Sequence, residues 1–170
     1  MKFIVYIVPC VILFLIGCAK MTEDELWQKV EQSRASGNTD STIQMCQAIL
    51  KGYPEGKNAS AALYMIAETY QNGKHDYHAA VNYYNAFVKQ YPDLNSTPVA
   101  MFITAFIYNN NLQMYDSARI AYQSFIARFP NHELAASAKF EIDNLGKTPD
   151  EIIGAKKELA VKTREHSRKK

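Results

Sequence analysis

An aromatic residue followed by proline recurs every 38 residues in this chain, at Tyr53-Pro54, Tyr91-Pro92 and Phe129-Pro130. Eight further pairs match at the same offset: Ala62 with Ala100, Tyr64 with Phe102, Ala67 with Ala105, Tyr70 with Tyr108, Tyr77 with Tyr115, Ala80 with Ala118, Tyr84 with Tyr122, and Phe87 with Phe125. Self-similarity at a fixed period indicates repeats that bury their apolar faces against neighbouring copies. The chain is therefore predicted to form a stacked array rather than a fold around one central core.

Each unit is predicted to be a pair of helices. In the second unit, residues at helical spacing form the apolar face of a first helix (Leu63, Ile66, Ala67, Tyr70) and of a second helix (Ala80, Val81, Tyr84, Phe87, Val88, Tyr91). Asn72-Gly73 predicts a turn between them, and Pro92 ends the second helix. The small residues Ala67, Ala80, Ala105 and Ala118 are expected where paired helices touch.

Helix-start signals define the other units. Thr22 to Glu25 is a capping box, and Thr97-Pro98 predicts the start of the third unit. A terminal helix from about residue 132 to 145 is expected to end at Gly146 in a left-handed cap, before a second capping box at Thr148 to Glu151. Asp76 and Asp116 are predicted to cap the second helices.

The order of these residues resembles the tetratricopeptide repeat. The matching series are Leu63, Ile66-Ala67, Tyr70, Ala80, Tyr84, Pro92 and Met101, Thr104-Ala105, Tyr108, Ala118, Tyr122, Pro130, each with a one-residue insertion between its helices. The resemblance implies an all-α fold, a short right-handed α-solenoid of tetratricopeptide-type helical hairpins with a C-terminal capping helix pair. Its repeats would span about 22–54, 58–92 and 97–130, followed by the cap at 131–155, within a domain of residues 22–155.

The N-terminus reads as an export signal. Lys2 precedes an apolar run from Phe3 to Ile16, which is shorter than the about 20 residues of a membrane-spanning helix and typical of a signal peptide. Leu15-Ile16-Gly17-Cys18 resembles the bacterial lipobox. This implies removal of residues 1–17 and a lipidated N-terminus at 18–21, carrying diacylglycerol and acyl chains such as palmitate on Cys18. Ala19 then implies the outer membrane, facing the periplasm. The alternative is an ordinary membrane anchor with an accidental cysteine.

Catalytic chemistry is not indicated. The sequence lacks a phosphate-binding glycine loop, a nucleophile elbow and a zinc-protease motif, and its net charge of +2 does not suggest nucleic acid. His75 and His78 are expected in a polar turn rather than at a metal, and Cys46 is expected to be a small buried hydrophobe. We therefore expect no enzyme activity, catalytic residue, metal site, cofactor or small-molecule substrate.

The third unit carries the candidate binding surface. Val99 to Tyr108 is apolar except at Thr104, and a helix that is apolar all round should be covered on all sides. In the tetratricopeptide fold, the positions of one further stripe line a groove; here they are Phe102, Phe106 and Asn109, with Tyr64, Glu68 and Gln71 as the neighbouring equivalents. The alternative is that Phe102 and Phe106 pack against the terminal cap helix.

Lipobox and repeats together resemble the BamD-type lipoproteins of the outer-membrane protein assembly machine and the YbgF-type repeat domain of the Tol-Pal envelope system. The resemblance implies a lipid-anchored scaffold that binds other envelope proteins or peptides. A Tol-Pal or division accessory, and a tether between membrane and cell wall, are the alternatives. The basic tail at 156–170, with seven Lys or Arg against Glu158 and Glu165, is either a solvated end or a contact for anionic lipid or cell-wall polymer.

We predict that Cys18→Ser abolishes lipid attachment without changing the fold, because Cys18 lies outside the repeats. Incorporation of labelled palmitate and fractionation with membranes would measure the effect, with circular dichroism as the control for folding. Equal palmitate labelling of wild type and Cys18→Ser would contradict the lipobox interpretation.

Overall fold

A computed structural model describes residues 20–154 and 157 of the chain. The predicted signal peptide at 1–17, Cys18 and the basic tail at 156–170, apart from Lys157, lie outside the described residues. Within the described part there are no strands, and the helices are α1 (Glu23–Ala35), α2 (Thr39–Gly52), α3 (Ala59–Glu68), α4 (Tyr77–Gln90), α5 (Thr97–Asn110), α6 (Tyr115–Arg128) and α7 (Ala135–Asp143). A further helix begins at residue 149 and is described as far as residue 154. None of the described helices is long and apolar enough to cross a membrane.

The helices pack in the order in which they follow one another along the chain. The principal contacts join α1 to α2, α2 to α3, α3 to α4, and so on to α7. This nearest-neighbour pattern is that of a solenoid of helical hairpins. The predicted all-α α-solenoid is confirmed.

Small residues of paired helices lie together in the core, Ala67 with Ala80 and Ala105 with Ala118. Ala67, Ala80, Ala105 and Ala118 are all fully buried, as the spacing predicts. A second series at the 38-residue offset is equally buried and continues into α7: Ala62, Ala100 and Ala138. The repeat therefore extends one helix beyond the last aromatic-proline pair.

Large side chains fill the space beside these alanines. Tyr84 and Phe87 of α4 are buried, as are Tyr122 and Phe125 of α6. In the first hairpin the equivalent positions hold smaller residues, Cys46 and Ile49, which are also fully buried. Cys46 is thus a core residue, as predicted, and burial raises the pKa of its thiol to about 12.

The turn predicted at Asn72-Gly73 is wrong in its position. The first helix of the second hairpin continues as a π-helical segment, Thr69–Lys74, and ends at His75 with a positive φ of 53°. Gly37 and Gln113, 38 residues before and after His75, also have positive φ. The backbone N–H of Asn38 donates to the carbonyl of Ser33, whereas that of Asp76 reaches one residue further back, to Tyr70. The one-residue insertion is therefore absorbed as a π-bulge.

Most predicted caps are confirmed and two are corrected. The capping boxes at Thr22 and Thr148, the left-handed Gly146 and the cap at Asp76 are all present. Asp116 instead lies in the first turn of α6, whose N-cap residue is Met114. Thr97 is the first residue of α5 rather than its cap, and its hydroxyl donates to the carbonyl of Tyr91. His78 similarly lies inside α4 rather than in the turn.

Candidate partner-binding groove

The predicted groove residues lie on the first helices of the hairpins, and two of them are aromatic rings anchored to the second helix. The half-buried Tyr64 ring meets Tyr84 and Phe87 edge-on, with centroids 5.4 and 5.1 Å apart. Phe102 repeats this arrangement one hairpin later, at 5.4 Å from Tyr122 and 5.9 Å from Phe125. These edge contacts orient both rings. The ring partners of Phe102 are thus on α6, within its own hairpin.

Phe106 and Glu68 occupy equivalent positions with different exposure. Phe106 is 39% exposed on α5, and Glu68 is half-buried on α3. The expectation that α5 is covered on all sides is therefore wrong at Phe106. An exposed ring is available for contact with another molecule.

Gln71 and Asn109 are occupied by hydrogen bonds within the array. The Tyr84 hydroxyl donates to Gln71 Oε1 at 2.9 Å. The side chain of Asn109, the equivalent residue one repeat later, is one methylene shorter than that of Gln71 and is buried. Its Nδ2 donates to Glu141 Oε2 of α7 at 3.1 Å. The buried Tyr122 hydroxyl has no hydrogen-bond partner among the described residues. Both amides therefore join helices to one another, and their predicted contact with a partner stays a prediction.

Trp27 is a further candidate groove residue, which the 38-residue offset does not reveal. Because the first hairpin lacks the π-bulge, α1 matches α3 at an offset of 37, which pairs Leu26 with Leu63 and Trp27 with Tyr64. The half-buried Trp27 lines a shallow cavity of about 290 Å³ together with Tyr64, Met65 and Leu94. The chain's single tryptophan, read with a 37-residue offset, would have been the signal.

One acidic side chain accompanies these apolar groups. Glu68 lines a second cavity of about 280 Å³, whose wall also includes Arg34 and Met65. Burial raises the pKa of Glu68, and the positive charge of Arg34 opposes that effect. Burial, followed by the charge of Glu68, raises the pKa of Tyr64. The surface combines aromatic edges, a thioether and one partly desolvated carboxylate.

The described residues contain no group of three or more His, Cys, Asp or Glu side chains that could hold a metal ion. What they form is a surface of aromatic and polar side chains on consecutive first helices, which is the usual binding face of a helical-repeat scaffold.

Comparison with known proteins agrees with this class. A family model described as outer membrane lipoprotein, YfiO, matches residues 19–164. The chain therefore belongs to the YfiO family of outer membrane lipoproteins, and the resemblance to the BamD-type proteins is confirmed. Membership of this family implies interaction with other envelope proteins. No curated protein matches the chain.

We predict that Glu68→Gln raises the melting temperature at neutral pH. A carboxyl group whose pKa is raised by folding binds protons more tightly in the folded state, so its ionisation lowers stability as pH rises from the ordinary value of 4.5 through the raised pKa. The increase in melting temperature should disappear well below pH 4.5, where the Glu68 carboxyl of the wild type is protonated in both the folded and the unfolded protein.

Calorimetric melting at several pH values measures this, with the exposed Glu31→Gln as the control. A Glu68→Gln protein that melts at the same temperature as wild type across this range would contradict the assigned cost of burying the carboxylate.

Proposed function

We propose that this protein is a lipid-anchored scaffold at the periplasmic face of the outer membrane. Its family supplies the class, and the lipobox supports attachment through Cys18. The first helices α1, α3 and α5 would bind other envelope proteins or peptides. No enzymatic activity is proposed, since the YfiO family is one of non-catalytic scaffolds.

The observation that carries this proposal is a row of aromatic residues on successive first helices. Trp27, Tyr64 and Phe102 occupy one repeat position on α1, α3 and α5, and Phe106 lies one turn beyond Phe102 with 39% of its surface exposed. Aromatic side chains often dominate the energy of protein interfaces, because they bury a large area with few rotatable bonds. The row suits an extended or helical peptide.

Glu68 adds polarity to an otherwise apolar surface. Its carboxylate is half-buried in the wall of the cavity that includes Arg34 and Met65. A partly desolvated carboxylate favours a ligand that brings a hydrogen-bond donor or a positive charge to it. The preferred ligand is therefore an apolar peptide segment with a donor near its middle.

The preferred biological role is outer-membrane protein assembly, because the chain is of the BamD type. Two alternatives stay open: an accessory role in the Tol-Pal and division system, and a tether between membrane and cell wall. The tether would use the basic tail, so deletion of residues 156–170 would abolish it and leave groove binding intact.

We predict that a photoreactive phenylalanine analogue at Phe106 captures a discrete partner in cells. The analogue at Ile120, which is 68% exposed on the second helix α6, is the control and should capture none. Mass spectrometry of the adduct would identify the partner and distinguish the three roles. The groove assignment is wrong if position 106 yields no adduct, or if both positions yield the same adducts.

Phe106→Ala should accordingly reduce recovery of that partner several-fold. The Phe106 side chain is only partly covered, so the free energy of unfolding should fall by less than the about 3–5 kcal/mol of a fully buried Phe→Ala change. Phe102→Ala is unsuitable for this test, because its ring packs on Tyr122 and Phe125 and its removal would weaken the core.

A further inference from the structure

The outer side of the first hairpin, at the open N-terminal end of the array, has a distinctive surface. Two shallow cavities of about 390 and 310 Å³ lie along α1 and α2 on this side. Lys29 lines the first cavity, and Lys20 and Lys51 line the second; all three are exposed. Neither cavity has an Asp or Glu in its described lining. We call the surface formed by Lys20, Lys29, Met45, Ala48 and Lys51 the end face.

The floor of the second cavity is apolar, whereas polar side chains accompany the one apolar side chain of the first. Met21, Leu26 and Ala48 line the second cavity, and Met45 lines the first. Met21, Met45 and Ala48 are each partly exposed. Lysines around a partly apolar surface are the composition of an interfacial membrane contact, in which ammonium groups meet headgroups and apolar side chains reach the acyl boundary.

The positive charge of the end face contrasts with the negative net charge of residues 20–154 as a whole. Residues 20–154 contain eleven Lys and Arg against fifteen Asp and Glu, a net charge of −4. Of the acidic residues that open α1, Asp24 pairs with Lys57 at 2.7 Å, and Glu25 accepts a hydrogen bond from the backbone N–H of Thr22 at 2.8 Å. Asp24 is therefore paired away from the end face, whereas Glu25 is close enough to Lys29 for the two charges to attract.

The segment leading to the lipobox is held against this face. Lys20 Nζ donates to the carbonyl of Gly52 at 3.3 Å and lies 4.7 Å from the centroid of the Tyr53 ring. The Tyr53 hydroxyl donates to the carbonyl of Met21 at 2.8 Å. Cys18 precedes Lys20 by two residues, and two residues span at most about 7 Å. A lipid on Cys18 therefore holds Lys20 close to the membrane surface.

We propose that the end face rests on the membrane and binds anionic phospholipid headgroups. This proposal depends on the lipid anchor of the proposed function and is independent of the groove. Electrostatic attraction to anionic lipid acts within about 10 Å, the distance over which salt screens exposed charges. The short tether keeps Lys20, and Lys51 in the same cavity, close to that range. The first hairpin would then lie on the membrane, and the later hairpins would follow it away from the membrane surface.

A test uses the lipidated mature protein in vesicles of phosphatidylethanolamine and phosphatidylglycerol. A fluorophore is attached at Ala48→Cys, or at Ala86→Cys, the equivalent position on α4. Cys46 is fully buried, so it does not compete for the label. Quenching by lipids that carry a spin label near the headgroup reports contact with the membrane.

We expect quenching several-fold stronger at position 48 than at position 86. Lys51→Glu should reduce it markedly, whereas Lys89→Glu, the same change one repeat later on an exposed lysine, should not. Vesicles of phosphatidylcholine alone should also reduce it. Equal quenching at both positions, or equal effects of the two lysine changes, would overturn the proposal. If the wild-type protein does not stay on the vesicles, both the lipid anchor and the membrane contact of the end face are wrong. Groove binding would not be affected by that result, because the crosslinking experiment tests it separately.

Discussion

The structure depends on the close approach of neighbouring helices at buried alanines. Ala67 and Ala80 in one hairpin, and Ala105 and Ala118 in the next, have no exposed surface. Because protein interiors are close-packed, we expect a larger side chain at these positions to displace its neighbours. Each hairpin also contacts only its neighbours, so an array this short has few other contacts to compensate for a misfit.

The groove follows from the same packing. The alanines bring the helices together, and Tyr84, Phe87 and their equivalents fill the space beside them and hold Tyr64 and Phe102 edge-on. Side chains of the first helices that do not pack in the core lie at the surface. Phe106 is the most exposed of the predicted groove residues. The first helices would thus combine two roles. The end face of the first hairpin is not covered by another described helix, and it is close in sequence to Cys18, the proposed site of lipid attachment.

The sequence predicts the features that depend on short-range pattern, namely the repeat offset, the buried alanines and the capping boxes. It misplaces those that packing decides. A one-residue insertion fits either a turn at Asn72-Gly73 or a π-bulge, and the local sequence does not distinguish the two. Because the first hairpin lacks the inserted residue, α1 matches α3 at an offset of 37 rather than 38. A search at 38 residues therefore does not pair Trp27 with Tyr64. Asn109 belongs to the groove stripe by position, but its short amide reaches Glu141 instead.

The most direct test of this account is the free energy of unfolding of Ala105→Leu, measured by denaturant titration. Ala127→Leu, the same change on the exposed side of α6, is the matched control. Overpacking a buried contact should cost about 1–3 kcal/mol, whereas the surface change should cost less than about 0.5 kcal/mol. If both variants unfold with the wild-type free energy, the array does not depend on close helix contacts at its alanines.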